Sequence, residues 1–175
     1  GTELIKTAKR RDLSEISKIV GESYFNLGKY QESISFLKAY KGKARKWNNT
    51  DYYQLGYAYY KQNSFESAIK YFNKIIDEKN AVSQNAYYHL AECYLNLEKK
   101  NEALNAFKTA SEMDFNSEIQ EDAALNYAKL SYEEGNPFEN VSDVLQNYLK
   151  KYPNSTSYNE INGLIVSAFI HQQDY

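Results

Sequence analysis

The chain is poor in the residues that bend, break or cross-link a backbone. Proline occurs 2 times and glycine 7 times in 175 residues. That excludes a Pro/Gly-rich low-complexity chain and leaves little material for long irregular loops. A single cysteine, Cys93, excludes an internal disulfide. No apolar run approaches the roughly 20 residues that span a bilayer, and no apolar signal segment opens the sequence. An excess of either charge is missing as well: 21 Lys and Arg stand against 23 Asp and Glu, a net of -2 with a pI near 5.8. Without a global basic field, non-specific nucleic-acid binding and attachment to anionic membranes have no electrostatic footing. There is no Gly-rich phosphate loop, no zinc-protease histidine pair and no nucleophile-elbow serine. No residue argues for catalysis, and neither a cofactor nor a metal is expected.

What the chain has is a repeat. Residues 52–72, YYQLGYAYYKQNSFESAIKYF, carry punctuation that recurs throughout. The small residue Gly56 reappears as Gly21, Ala91 and Ala128, at steps of 35, 35 and 37. Tyr59 matches Tyr24 and Tyr94, Ala68 matches Ser33 and Ala103, and Phe72 matches Leu37 and Phe107. Periods of this length signal stacked supersecondary units. Tyr52, Leu55 and Tyr59 share one face of a first helix, and Ala68, Phe72 and Ile75 share one face of a second. Small residues at 56 and 68 let the two backbones approach while their large neighbours interdigitate. A short polar turn at 61–64 joins the helices, with Gly28 and Gly135 at the equivalent place in the first and fourth copies. One hairpin cannot bury both of its faces, but a stack of them can.

Leu55-Gly56, Tyr59, Phe65, Ala68 and Phe72, and again Tyr87, Leu90-Ala91, Tyr94, Ala103, Phe107 and Ala110, resemble the tetratricopeptide repeat. The resemblance departs from the family pattern where Tyr52 or Tyr87 replaces its Trp, where Tyr40, Ile75 and Tyr148 replace its late Ala, and where its closing Pro survives only as Pro153. The ending Tyr148-Leu149-Lys150-Lys151-Tyr152-Pro153-Asn154-Ser155 is similar to repeats of bacterial envelope proteins, which implies a bacterial type and a periplasmic or envelope location. The implied fold is all-α: a right-handed superhelical solenoid of antiparallel helix pairs, with repeats at about 12–48, 49–82, 83–116 and 117–155 and a partial repeat at 156–175.

Read in order, the chain is expected to start its first helix at a capping box of Asp12 and Glu15, with 2–9 as the tail of a preceding helix. This helix runs to about 27 through Leu13, Ile16, Ile19 and Val20. Further helices are expected at about 30–44, 50–61, 65–77, 83–97, 100–113, 118–134 and 138–151, and from about 157. Lys41, Lys43, Arg45 and Lys46, followed by Trp47, form the one basic cluster with an aromatic. Cations gather at helix C-termini because they complement the dipole, and that is the expected role here in preference to an anion site. The sequence opens without Met, and Asp174-Tyr175 matches the start of a second helix at Lys29-Tyr30. Leu164, Ile165, Val166, Phe169 and Ile170 would lie partly uncovered. The expectation is a piece of a longer protein, with this end inclined to self-association.

His89 and Cys93 lie four apart on one helix face, a spacing that suits a metal or a thiol–base pair, but no further ligand is near and a packed structural thiol is the expected reading. What remains is a binding surface. By resemblance to tetratricopeptide arrays, the first helix of each hairpin lines a concave groove. The inward positions are Glu15, Lys18, Glu22, Phe25 and Asn26, then Thr50, Tyr53, Tyr57, Tyr60 and Lys61. The third copy contributes Asn85, Tyr88, Glu92, Leu95 and Asn96, and the fourth Asp122, Leu125, Lys129, Tyr132 and Glu133. Phe25, Tyr53, Tyr57, Tyr60, Tyr88 and Tyr132 would form an aromatic trough flanked by Glu22 and Glu92, taking a peptide or helix of a protein partner. Some of these rings are equally expected to close gaps between repeats. The family's chaperone-tail groove grips a carboxylate with Lys, Asn, Asn, Lys and Arg. Here only Lys18 fits, with Glu22, Tyr57, Asn85 and His89 at the other places. The implied role is a non-catalytic scaffold. Its rivals are a structural module of an envelope assembly and an accessory domain of a larger enzyme.

Overall fold

A computed structural model describes residues 2–76 and 78–173. Among the described residues there are nine α-helices and no strand: α1 Thr2–Asn26, α2 Tyr30–Ala39, α3 Asn49–Tyr60, α4 Phe65–Phe72, α5 Ala81–Asn96, α6 Lys100–Glu112, α7 Ser117–Glu134, α8 Val141–Lys151 and α9 Tyr158–Gln173. The chain divides into two compact units, Gly1–Glu78 with α1 to α4 and Lys79–Tyr175 with α5 to α9. In the first, α1 packs on α2 and α3 on α4. In the second, α5 packs on α6, α7 on α8, and α9 against both α7 and α8.

Each hairpin depends on a close crossing. A Cβ added to Gly21 would lie 2.9 Å from Leu37, and one added to Gly56 would lie 2.8 Å from the Phe72 ring. Ala91 and Ala128, the matching residues in the second unit, are wholly buried, as are Phe107 and Leu145 on the helices that follow them. The turn between helices is equally regular. Gly28, Asn63 and Glu98, spaced by 35, all have positive φ, at 71°, 55° and 58°. In each, the next residue's N–H bonds a carbonyl five residues back: Lys29 to Tyr24, Ser64 to Tyr59 and Lys99 to Tyr94, at 2.9, 3.0 and 2.9 Å. This is the left-handed helix stop that satisfies orphan carbonyls.

A second repeating device links the first helix of three pairs, α1, α3 and α5, to the segment that ends the pair. Ser14 Oγ accepts from Lys41 N–H at 2.9 Å, and Asn49 Nδ2 donates to Glu78 at 2.5 Å. Gln84, wholly buried, accepts from Asn116 N–H at 2.8 Å and donates to the carbonyls of Met113 and Ala110 at 2.7 and 3.1 Å. These residues also are 35 apart.

The structure differs from the sequence expectations at several boundaries. Helix α1 is continuous from Thr2, so Asp12 and Glu15 are not a cap. No Gly or Pro interrupts 2–20, and an exposed Asp is tolerated mid-helix. Leu13, Ile16 and Ile19 are exposed rather than core, because α1 meets α2 and α3 on one side only. Helix α2 stops at Ala39 instead of about 44, since Gly42, Ala44 and Arg45 take φ of 82°, 52° and 65°. Helix α4 ends at Phe72 and tightens into turns, Ile75 N–H reaching back to Phe72 O at 3.0 Å. Helix α8 begins at Val141, not 138. Asn136 Oδ1 holds the N–H groups of Phe138 and Glu139, and Asn140 caps the helix through Ser142 and Asp143. Gly135 has φ 74° but ψ 160°, so the fourth turn is extended where the others are left-handed. Asp174 and Tyr175, matched in sequence to a helix start, and Asp77, expected at the end of α4, lie outside the described residues, as does the side chain of His171.

Leucine at position 56 would overpack the α3–α4 crossing. Gly56→Leu is expected to lower stability by roughly 1–3 kcal/mol, read as a fall in the melting midpoint. An unchanged midpoint would show that the crossing yields without cost.

Candidate functional site

Helix α3 contributes five tyrosines, and the helical period sorts them onto two sides. Tyr52 and Tyr59 face the interior with Trp47 and Tyr71: Tyr59 stacks on Tyr71 at 5.6 Å and 5°, and Trp47 lies 5.3 Å from Tyr52 and 6.3 Å from Tyr71. The Tyr71 hydroxyl has its pKa raised by burial and by Tyr59, against the opposing charge of Lys38. On the other side Tyr57 is a hub, with ring centroids 5.6 Å from Phe25, 6.0 Å from Tyr53 and 5.8 Å from Tyr60. All four rings are half-buried. The Lys61 ammonium stands 5.8 Å from the centroids of both Tyr57 and Tyr60. The first unit therefore brings together the four rings that the sequence placed on one face.

Two further rings complete this group. Tyr30 lies 5.5 Å from Phe25 and 5.7 Å from Tyr57, and Phe65 lies 6.4 Å from Tyr60. Each is the first residue of a second helix, and they are 35 apart, so the repeat alignment carried the signal. Phe25 and Tyr30 also pack against the core of Ile34, Leu37, Leu55 and Ala58, and Tyr53 covers Phe72 at 5.8 Å. The inner edges of these rings close the hairpins and the outer edges form the surface.

Beside them sits an ion pair. Lys18 Nζ lies 2.7 Å from Asp51 Oδ1, 3.8 Å from Glu22 and 4.9 Å above the Tyr40 ring. Asp51 is buried, and its other oxygen accepts from Asn48 N–H at 2.9 Å to close the capping box of α3. Burial opposes the Lys18 charge, but the hydrogen bond and charge of Asp51, helped by Tyr40 and Glu22, outweigh it and raise the pKa. The one residue that matched the carboxylate clamp is thus already engaged.

In the second unit Tyr88 packs on Phe107 at 5.7 Å and on His89 at 5.5 Å, and its hydroxyl donates to Asp122 at 2.5 Å. Glu92 faces His89 Nδ1 at 2.7 Å, and Tyr132 is half-buried on α7. Lys129 reaches Glu160 at 2.7 Å. Cys93 is wholly buried, and burial, with Glu92 next to it, pushes its thiol up to about 12. His89 turns to Glu92, and the raised thiol pKa keeps Cys93 in its protonated, weakly nucleophilic form. Between α6, α7 and α8 lies a cavity of about 290 Å³ bordered by Tyr127, Tyr148 and Tyr152. The Tyr152 hydroxyl makes no hydrogen bond there, and burial first, then Glu121, pushes it up to about 12.

Among solved structures, one described as kinesin light chain nearly identical TPR-like repeats from Podosopora anserina is similar, with a TM-score of 0.61 over 91% of this chain and 87% of that one. The fold is that of TPR-like repeats. A point variant of the same Podosopora anserina repeats is similar with a TM-score of 0.59, covering 91% and 86%. Both are 12% identical to this chain, a likeness of fold alone. A family model described as anaphase-promoting complex, cyclosome, subunit 3 matches residues 38–110. No curated protein matches the chain. Among the described residues no helix is long and apolar enough to cross a membrane.

Two outcomes are expected. The raised Lys18 pKa means its contribution is fully present below the ordinary lysine value of about 10.4 and is lost as pH rises through the higher folded value. Lys18→Met should therefore lower the urea midpoint at pH 8, with the gap to the unaltered chain closing in strong alkali. The buried Cys93 thiol should resist an aromatic disulfide reagent in the native state and react on denaturation. Rapid native labelling would show that the α5–α6 hairpin opens.

Proposed function

We propose that the protein is a non-catalytic interaction module whose first unit holds a peptide or helix of a partner protein on the face of Phe25, Tyr53, Tyr57 and Tyr60. The observation that carries this reading is the continuous row of half-exposed rings centred on Tyr57. Such rings supply large, stiff contact area that is apolar in the body and polar at the tip. Glu22 of α1 belongs to the same reading; Tyr88 and Glu92 of α5 and Tyr132 of α7 are candidate contacts of the second unit taken by itself. A partner segment with aromatic, aliphatic or basic residues suits this surface, Lys61 closing its rim. Because Lys18 is held by Asp51 and Glu22 lies beside it, a chaperone C-terminal EEVD peptide has no clamp to enter.

A second contact surface is supported by α9, where Val166, Phe169 and Ile170 are 52%, 45% and 57% exposed. Large adjoining apolar side chains of this kind favour self-association.

Selection of a displayed peptide library against the protein, followed by calorimetry, tests the first reading. Tyr53→Ala with Tyr57→Ala should weaken the selected peptide by about tenfold or more, the usual scale for losing an interface aromatic. Undiminished binding would place the ligand elsewhere. EEVD peptides should show no measurable affinity, and a micromolar Kd for one would overturn the account of Lys18.

A further inference from the structure

The loop joining α2 to α3 is built differently from the others. It carries Lys41, Lys43, Arg45 and Lys46 beyond the end of α2, whose last turn holds a single cation, Lys38. Lys38 borders one cleft of the loop, of about 580 Å³, and Arg10 and Arg11 of α1 border another, of about 590 Å³. All seven cations are exposed, and among the described residues none lies within 4 Å of a carboxylate. Among the described residues Glu15 is the one acid bordering either cleft.

The loop holds a fixed and strained shape. Ala44 and Arg45 are consecutive non-glycine residues with positive φ, a conformation L-residues avoid. A Cβ on Gly42 would meet Lys46 O at 2.3 Å. Arg45 N–H to Gly42 O at 3.2 Å, Lys46 N–H to Lys43 O at 3.0 Å, and Lys41 N–H to Ser14 Oγ at 2.9 Å pin the backbone. Strain of this kind persists where the surroundings over-determine it and clusters at binding sites. Here it crowds like charges together, at a cost in self-repulsion that an anionic ligand would remove.

We propose that the α2–α3 loop, with Arg10 and Arg11, is a docking site for an acidic segment of a protein partner, rich in Asp and Glu or phosphorylated. The site is separate from the ring face around Tyr57. Nucleic acid fits less well. Residues 1–78 hold 14 Lys and Arg against 9 Asp and Glu, a net of +5, but residues 79–175 hold 7 against 14, a net of -7, which repels a long polyanion. Trp47, which borders the site with Tyr40 and Tyr52, is covered by Tyr52 and Tyr71 and gives its indole N–H to Tyr40 O at 2.9 Å, so it offers no free platform for a base. A short acidic segment needs only the patch itself.

Trp47 is the chain's one tryptophan and borders the cleft, so its emission reports occupancy. Titration with a short Glu-rich peptide should shift that emission, and calorimetry should show affinity falling by about tenfold or more between about 50 mM and about 200 mM salt. The Gln-for-Glu twin should not bind. Lys43→Gln with Lys46→Gln removes two exposed, unpaired charges. It should keep the circular-dichroism melt and lose about tenfold in affinity, whereas Tyr53→Ala with Tyr57→Ala should leave it unchanged. Binding of the twin, full affinity in the neutralised variant, or loss in the tyrosine variant would overturn the proposal. So would tighter binding of single-stranded DNA or of anionic vesicles at matched charge. Salt-sensitive self-association in sedimentation, with the peptide failing to compete, would equally reject a partner's acidic segment in favour of a second copy.

Discussion

The whole architecture depends on one repeated close approach, a small residue on the first helix of each pair against a large one on the second. Gly21 meets Leu37 and Gly56 meets Phe72 with no room for a methyl group. That distance fixes which faces of the two helices are hidden. The hidden faces in turn fix which residues of α3 stand outward. Tyr53, Tyr57 and Tyr60 form a surface because Leu55, Gly56 and Tyr59 are committed to the crossing and the core. Fold and candidate site are thus two results of one packing constraint.

Much of this was legible in the residues. The 35-residue spacing located the crossings, helical periodicity put Tyr52 and Tyr59 on one face, and the resemblance to tetratricopeptide arrays put Tyr53, Tyr57 and Tyr60 on the other. The left-handed turn was legible at Gly28, and Asn63 is a residue type that tolerates positive φ, but Glu98 gives no such signal; only the alignment marks it. The end of α2 was missed because Lys, Ala and Arg are good helix formers, and local propensity gave way to a loop that Gly42 starts and Ser14 anchors. The start of α8 was missed for a related reason. Asn136 and Asn140 each capture backbone N–H groups, and two such caps in succession delay the helix that an apolar pattern would begin sooner. The exposed face of α1 shows the limit of periodicity, which finds an apolar stripe without saying whether anything covers it.

The tyrosine excess has a physical account in the same terms. An aromatic shared between core and surface must tolerate water at one edge, and a phenol does so where a phenyl ring would not. Tyr53 and Tyr57 pack inward on Phe72 and Phe25 and remain half-exposed. At the more deeply enclosed Tyr127 and Tyr148 the hydroxyl meets a side chain, the Asn136 amide and the Ser155 hydroxyl, each at 2.8 Å, whereas that of Tyr152 meets none.

The side chains at 14, 49 and 84 occupy one place in the repeat but differ in reach and enclosure. Ser14 accepts one exposed bond, Asn49 meets a carboxylate at the surface, and Gln84 sits in the interior with bonds to three backbone groups within 3.1 Å. Equal geometry is therefore joined with unequal strength. Solvent competes at the first two and is shut out at the third. The bonds of Gln84 are enclosed by the α5, α6 and α7 packing, while those of Ser14 and Asn49 are open to water. Exclusion of water, rather than place in the repeat, therefore sets how firmly each of these three helices is tied to the segment that ends its pair.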